Sequence, residues 1–326
     1  SIRGFDQRNI AVMLDGIPVN DMENGRVFWS NWFGLDLVTQ TMQVQRGLGA
    51  SKISVPSVGG TINILTQGID SDRSLRVKQE LGNNGFMRST LGFNSGRLDS
   101  GWAFSTALSY KRGNGWVDGN FTEGLFYYLR IDKQFNKHLI SLSGFGAPQH
   151  HGQRPFSAPI AQVDTDYARK LGVAESVIEE YAIADKGRRY NSHWGYRDGE
   201  VFTSRKNFYH KPQISLRHSY QAREDLFFSN VLYLSIGNGG GTSPDGASFE
   251  RDENDQIDVE KAIEINQPTV FNPNGLSNTI IRASINNHFW YGLLSTMKYD
   301  INENWVFSAG LDGRSYRGDH YREVHD

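Results

Sequence analysis

Residues 21–33 (Asp-Met-Glu-Asn-Gly-Arg-Val-Phe-Trp-Ser-Asn-Trp-Phe) combine side chains able to recognise a solute. Trp29 and Trp32 offer flat faces for stacking, and Asn24, Arg26 and Asn31 offer hydrogen bonds beside them. The competing role for Trp29, Trp32 and Phe33 is to form the core of their own unit. A second polar run, Gln149-His150-His151-Gly152-Gln153-Arg154, places two histidines side by side. Neighbours on an extended strand point to opposite faces, so the pair is a poor metal site and reads as a polar rim. Asp252, Asn254, Gln256 and Asp258 alternate in the manner of a calcium loop. The glycine needed at its sharp turn is missing, with Ile257 nearby, and no Glu stands at the bidentate position, so no metal site is assigned. The chain has no cysteine, which removes thiolate ligands, thiol nucleophiles and disulfides. It carries no Ser-His-Asp or Walker-type motif and no carboxylate pair tied to a motif, so neither catalysis nor a cofactor is expected.

The elements that would position these groups are mostly strands. At 38% hydrophobic residues and with no apolar run near the length of a spanning helix, the 326-residue chain is not a helical membrane protein. A barrel strand needs only about ten residues, half of them polar, so a membrane is not excluded. The 35 Gly with 19 Phe, 14 Tyr and 7 Trp suit short turns and interfacial aromatic girdles. A net charge of -2 gives no pull toward nucleic acid.

Two textures divide the chain into residues 1–70 and 71–326. The first part has a compact apolar strand at 10–14, a turn at Asp15-Gly16, further strands at 42–44 and 61–65, and Gly-rich connectors, as in a small α+β unit. From about Ser74, long strands alternate with period two. Trp102, Phe104, Thr106, Leu108 and Tyr110 oppose Ala103, Ser105, Ala107 and Ser109. Leu125, Tyr127, Leu129 and Ile131 oppose Phe126, Tyr128, Arg130 and Asp132. Residues 289–299 and 305–314 repeat the pattern. The opposing faces hold Gly, Ser and Ala rather than the Lys and Glu of a solvated sheet. Residues 139–145 and 226–236 alternate too poorly to assign a face. Short turns near 95–100, 136–137, 222–225 and 302–304 alternate with longer connections, two of them, 149–206 and 237–284, very long. The expected fold is mainly β: an incomplete transmembrane antiparallel β-barrel of about nine strands, preceded by a small α+β unit, which the resemblance below identifies as part of a plug domain. An odd strand count with an open edge cannot stand in lipid. With a start in mid-motif at Ser1-Ile2-Arg3-Gly4 and an end at Val324-His325-Asp326 without a turn, the chain reads as a piece of a longer one.

Three motifs in order sharpen that reading. Ser1-Ile2-Arg3-Gly4-Phe5, then Val12-Met13-Leu14-Asp15-Gly16-Ile17-Pro18, then Val44-Gln45-Arg46-Gly47 with Ala50 and Gly59-Gly60-Thr61-Ile62-Asn63-Ile64, resemble the plug of TonB-dependent outer-membrane receptors. The specific motifs lie within residues 1–66, followed at once by barrel-type strands. The resemblance implies a 22-stranded barrel filled by the plug, with ligand bound on the extracellular side. It also implies location in the outer membrane, contact with its lipid, and a TonB-type energy-coupling protein in the periplasm. A surface lipoprotein is admitted as a further partner. The implied function is active import of a scarce solute: a siderophore, cobalamin, an oligosaccharide or a peptide. The alternative is a non-transporting surface adhesin or lectin, which has no reason to carry a folded plug.

Within this frame residues 21–33 fall between two plug strands, where plug loops of such receptors face the ligand. The expected ligand-binding residues are Asn24, Arg26, Trp29, Asn31 and Trp32, with His150, His151 and Arg154 from the barrel rim and further groups from the loop after Ile236. Arg3, Asp15 and Arg46 are expected between plug and wall, facing Arg88, Arg130, Asp132, Lys298 and Arg314 on the lumen side. Gly47, Gly49, Gly59 and Gly60 are expected at turns or close approaches. A plug held mainly by polar contacts is expected. Residues 164–186 are expected to form a helix capped by Asp164 or Thr165, with Tyr167, Leu171, Ala174, Ile178 and Tyr181 on one face.

Overall fold

A computed structural model describes residues 4–47, 58–155, 157–181, 187–253 and 255–326. Arg3, Gly49, Ala50, Asn254 and the end of the 164–186 segment lie outside the described residues. The first sheet contains β1 (Ile10–Leu14), β2 (Ile17–Pro18), β3 (Thr39–Arg46) and β4 (Gly60–Thr66), in the order β2-β1-β4-β3. A hairpin through Asp15 and Gly16, both at positive φ, joins β1 to β2. β1 runs parallel to β4, from Ile10 against Gly60 to Leu14 against Ile64. A central strand covered on both faces needs an apolar run, which Ile10, Ala11, Val12 and Leu14 supply. Between β2 and β3 lie a 3-10 turn at Trp29–Trp32 and the short helix α1 (Leu35–Val38).

The wall begins with β5 (Ser74–Leu81), β6 (Met87–Asn94), β7 (Trp102–Asn114), β8 (Phe121–Phe135), β9 (His138–Gly146) and β10 (Gln149–Gly152). An excursion through α2 (Ile160–Val163), α3 (Thr165–Lys170), α4 (Glu175–Tyr181), β11 (Trp194–Arg197) and β12 (Glu200–Thr203) returns to β13 (Lys206–His210), β14 (Gln213–Arg223) and β15 (Leu226–Gly246). After β16 (Ile257–Asp258) and α5 (Val259–Asn266), the wall ends with β17 (Thr279–Asn302) and β18 (Trp305–Val324). The eleven wall strands form one antiparallel sheet, open between β5 and β18. β9 with β10, and β13 with β14, are each one strand interrupted before Pro148 and Pro212, residues without the N–H that a ladder needs. Nine wall strands therefore pair in sequence order.

Alternation puts Leu108, Leu129, Phe307 and Leu311 on the outer, exposed face, with Tyr127 and Leu293 in phase, away from the plug. Ala103, Ala107, Phe126, Tyr128 and Asp132 are buried on the lumen face. The two poorly alternating stretches now have faces as well. Ile140, Leu142, Leu232 and Ile236 are exposed, whereas Ser141, Phe145, Val231 and Tyr233 are buried.

Two expectations change. The loop expected over 237–284 is shorter, because β15 and β17 stay paired up to Gly246 against Thr279. The glycines that resembled a loop serve close approach instead: a Cβ on Gly240 would stand 2.2 Å from the Ser284 carbonyl oxygen. The helix expected over 164–186 is broken at Gly172 (φ +76) into α3 and α4, and Ile178 is buried while Tyr167 and Leu171 are exposed. Asp164 does cap α3, accepting the Tyr167 backbone N–H at 2.7 Å, and this bond together with Arg188 holds its carboxyl below the ordinary value. Arg46 lies on β3 and is exposed among the described residues.

The two long excursions fold together. β11 pairs with β12 and, in parallel, with β16 from the other excursion. Tyr190 donates to the Asp255 carboxylate at 2.7 Å, and Arg251 to the Ser192 carbonyl at 2.6 Å.

Candidate functional site: a cleft between plug and wall

The plug meets the wall through polar ties and an apolar seam. Arg88 donates two hydrogen bonds to Asp36, at 2.9 and 3.2 Å. Tyr128 and Arg130 both donate to the Thr66 hydroxyl, at 3.0 and 3.1 Å, and Arg217 donates to the Asp15 carbonyl. Asp15 itself accepts from the Thr66 N–H and hydroxyl, at 2.8 and 2.7 Å. Lys298 bonds to Asp300 of the wall, whereas Arg314 bonds to Asp312 and also reaches the Met22 sulfur of the plug at 3.9 Å.

The seam corrects the expectation of a mainly polar junction. Trp32 packs 5.5 Å from Phe145, Phe33 lies 6.4 Å from Phe126, and these join the plug core. A second cluster sets Ile17 of the plug against Val231, Tyr233 and Trp290. Large apolar side chains from both partners leave water here, adding to what the exposed ion pairs contribute.

Gly47 (φ +78) and Gly60 (φ +132) adopt the left-handed conformations expected of them, and a Cβ on Gly59 would come 2.9 Å from Phe5. Gly34, at φ +94, is packed directly against the wall: a Cβ there would lie 2.3 Å from Cγ of Phe126. Gly34→Ala is expected to cost plug docking at least about 1–3 kcal/mol, through backbone strain and overpacking. Protease accessibility of the plug would check this; unchanged protection would show that the seam can yield.

Beside the seam opens a cleft of about 400 Å³ lined from both sides. The plug supplies Asp21, Glu23, Asn24, Phe28, Ser30 and Asn31. β13 supplies Asn207 and Tyr209, with Lys211 in the break that follows; β15 supplies Gly240 and Gly241. β17 supplies Ser284 and residues 286–288, and β18 Tyr316 and His320.

Buried Asn20 sets the plug loop. Its side chain accepts the Val12 N–H at 2.7 Å and donates to the Ile10 and Gly25 carbonyls, both at 2.9 Å. Asp21 then closes a tight turn, its N–H donating to the Arg26 carbonyl and its Oδ1 accepting from the Glu23 and Asn24 N–H groups. The loop reaches the wall where Glu23 Oε1 meets His320 Nε2 at 2.8 Å. Across the cleft Tyr209 donates to the Asn286 carbonyl at 3.0 Å. Amide, hydroxyl, imidazole and carboxylate groups of plug and wall thus face one space, an arrangement able to hold a polar solute.

Of the expected residues, the cleft brings together Asn24 and Asn31. Trp29 is half exposed next to it, and Arg26 is exposed but not among its lining residues. Trp32, 5% exposed, is a core residue and offers no open stacking face. The 149–154 run does not open a loop; its first four residues are β10. There His150 points to the outer face, 3.3 Å from Glu123 and against Phe121, while His151 bonds Gln149 on the inner face. Arg154 braces the excursion through the Arg188 and Tyr190 carbonyls. None of the three lines the cleft. The wall groups, Tyr209, Lys211, His288, Tyr316 and His320, were missed. Period two places them on the lumen face, but nothing local says that three separate strands carry them to one depth.

No family model matches the chain. Over 80 residues, 22% of this chain and 10% of the relative, it is 28% identical to a probable TonB-dependent siderophore receptor, PirA, of Acinetobacter baumannii. Its fold is similar to the open form of the ferric-catecholate import receptor Fiu of E. coli K12, with a TM-score of 0.63 and 14% identity over 98% of this chain and 44% of that one. It is also similar to the unliganded ferric citrate transporter FecA, with a TM-score of 0.62 and 16% identity over 99% of this chain and 42% of that one. The chain therefore spans less than half the length of these solved receptors.

Proposed function

We propose that this chain, which has the plug-and-barrel fold of the TonB-dependent outer-membrane receptors, imports a siderophore-type metal chelate across the outer membrane with energy from a periplasmic TonB-type protein. The observation that carries the reading is the cleft built jointly from plug residues 21–31 and four wall strands. A solute held by both parts loses half of its partners when the plug moves. Binding outside and release inside then follow from one displacement. The outer face, with Leu108, Leu129 and Leu311 exposed, is the surface offered to outer-membrane lipid. Asn24, Asn31 and the wall groups around them are the proposed ligand contacts, and residues 1–70 the proposed movable domain.

The test uses cells whose only route for ferric chelates is the intact receptor, given radiolabelled ferric citrate or a ferric catecholate. Accumulation of at least one chelate is expected while the inner membrane is energised, and its arrest when a protonophore is added. Binding without internalisation would support a surface-binding protein instead. Internalisation of neither chelate would overturn the siderophore-type assignment.

A further inference from the structure

Lys211 stands at the floor of the cleft, only 6% exposed, in the strand break imposed by Pro212. Its ammonium lies 5.8 Å from the centre of the Trp32 ring on the plug and 5.6 Å from that of Trp290 on the wall. Among the described residues no carboxylate comes within ion-pair distance of it and no acceptor takes its hydrogen bonds. The two acids of the cleft make their hydrogen bonds elsewhere, Asp21 with backbone N–H groups and Glu23 with His320, so that Asp21 acts on Lys211 only through space. A buried ammonium is costly without a counter-charge, and two aromatic faces replace only part of its hydration. The group is therefore placed, desolvated and left open on the side facing the cleft.

We propose that Lys211 anchors an anionic oxygen group of the imported solute, a carboxylate or a deprotonated chelating oxygen. The proposal rests on the cleft being the solute site. Besides Asp21 and Glu23, the groups lining the cleft around Lys211 include the neutral Asn24, Asn31, Asn207 and Tyr209, which admit a polar body whose charged end reaches Lys211. An anion arriving there would pair with a cation already stripped of water, which makes the contact both strong and selective. It would also touch the space between Trp32 and Trp290, tying the solute to the plug–wall junction itself.

Citrate is the probe, titrated at constant ionic strength into the purified full-length receptor, with tryptophan emission as the readout because Trp32 and Trp290 flank the ammonium. A saturable response is expected with citrate and none with glucose. Lys211→Met and Lys211→Gln, which keep most of the stem and remove the charge, should weaken citrate binding about 10–100-fold. Heat-modifiable migration on a gel identifies the variants that are folded, so two substitutions guard against one failing. No saturable response in the wild type, or wild-type affinity in a folded variant, overturns the anchoring role. Energised uptake that continues without citrate binding overturns this role alone, whereas citrate binding without any uptake overturns import and leaves the anchor standing.

Discussion

Arg130→Leu is expected to cost the folded receptor about 3–5 kcal/mol, the range for breaking a buried ion pair from one side. Asp132 has a fully buried side chain, and Arg130 spans it with Nε at 3.0 and 3.1 Å from its two oxygens. The same guanidinium reaches the Thr66 hydroxyl, which also bonds Asp15, so one side chain links wall, pair and plug. Removal leaves a carboxylate without its counter-charge in the lumen and loosens the plug at the same point. The companion variant carrying both Arg130→Leu and Asp132→Leu should recover most of the loss, because no charge is then stranded. Denaturant unfolding of the full-length receptor measures both. If the double variant is no more stable than the single one, the cost comes from the Thr66 contact and not from the stranded acid.

Trp32→Ala should destabilise plug docking by about 3–5 kcal/mol, as large-to-small changes of buried aromatics do. The ring is nearly buried, packs 5.5 Å from Phe145 and lies beneath the Lys211 ammonium, so its loss opens a cavity at the junction of plug and wall. Trp29→Ala, three residues away on an exposed turn position, should change stability by no more than about 0.5 kcal/mol. Unfolding midpoints of the two single variants decide between them. Equal, small effects would mean that Trp32 is free to stack on a solute after all. Equal, large effects would make both tryptophans structural.

The contrast between those neighbouring tryptophans marks where local pattern stops being informative. In the strands, period two fixes the face of each side chain once one residue is placed, which is why Leu129 outward and Arg130 inward could be read directly. The 3-10 turn at Trp29–Trp32 has no such rule, and it sends Trp29 outward and Trp32 into the core. His150 and His151 show the same limit from the other side. Opposite faces were legible, but which face met the lumen depended on the pairing of β10 with β8 and β13.

Turn residues and alternation, acting over a few positions, determined the plug strands, the nine-strand meander and its apolar outer face. Their physics is local: Asp15-Gly16 turns, the prolines interrupt, and the pleat alternates. The tertiary structure alone decided the cleft, because its lining residues come from positions as far apart as Asp21 and His320. It also decided that the glycines at 239–241 continue a strand rather than form a loop, since the reason lies in the carbonyls of neighbouring strands. Most of all it decided the state of Lys211. A lysine before a proline carries no mark of burial in the sequence. Only the closing of plug on wall, with Trp32 on one side and Trp290 on the other, takes its charge out of water.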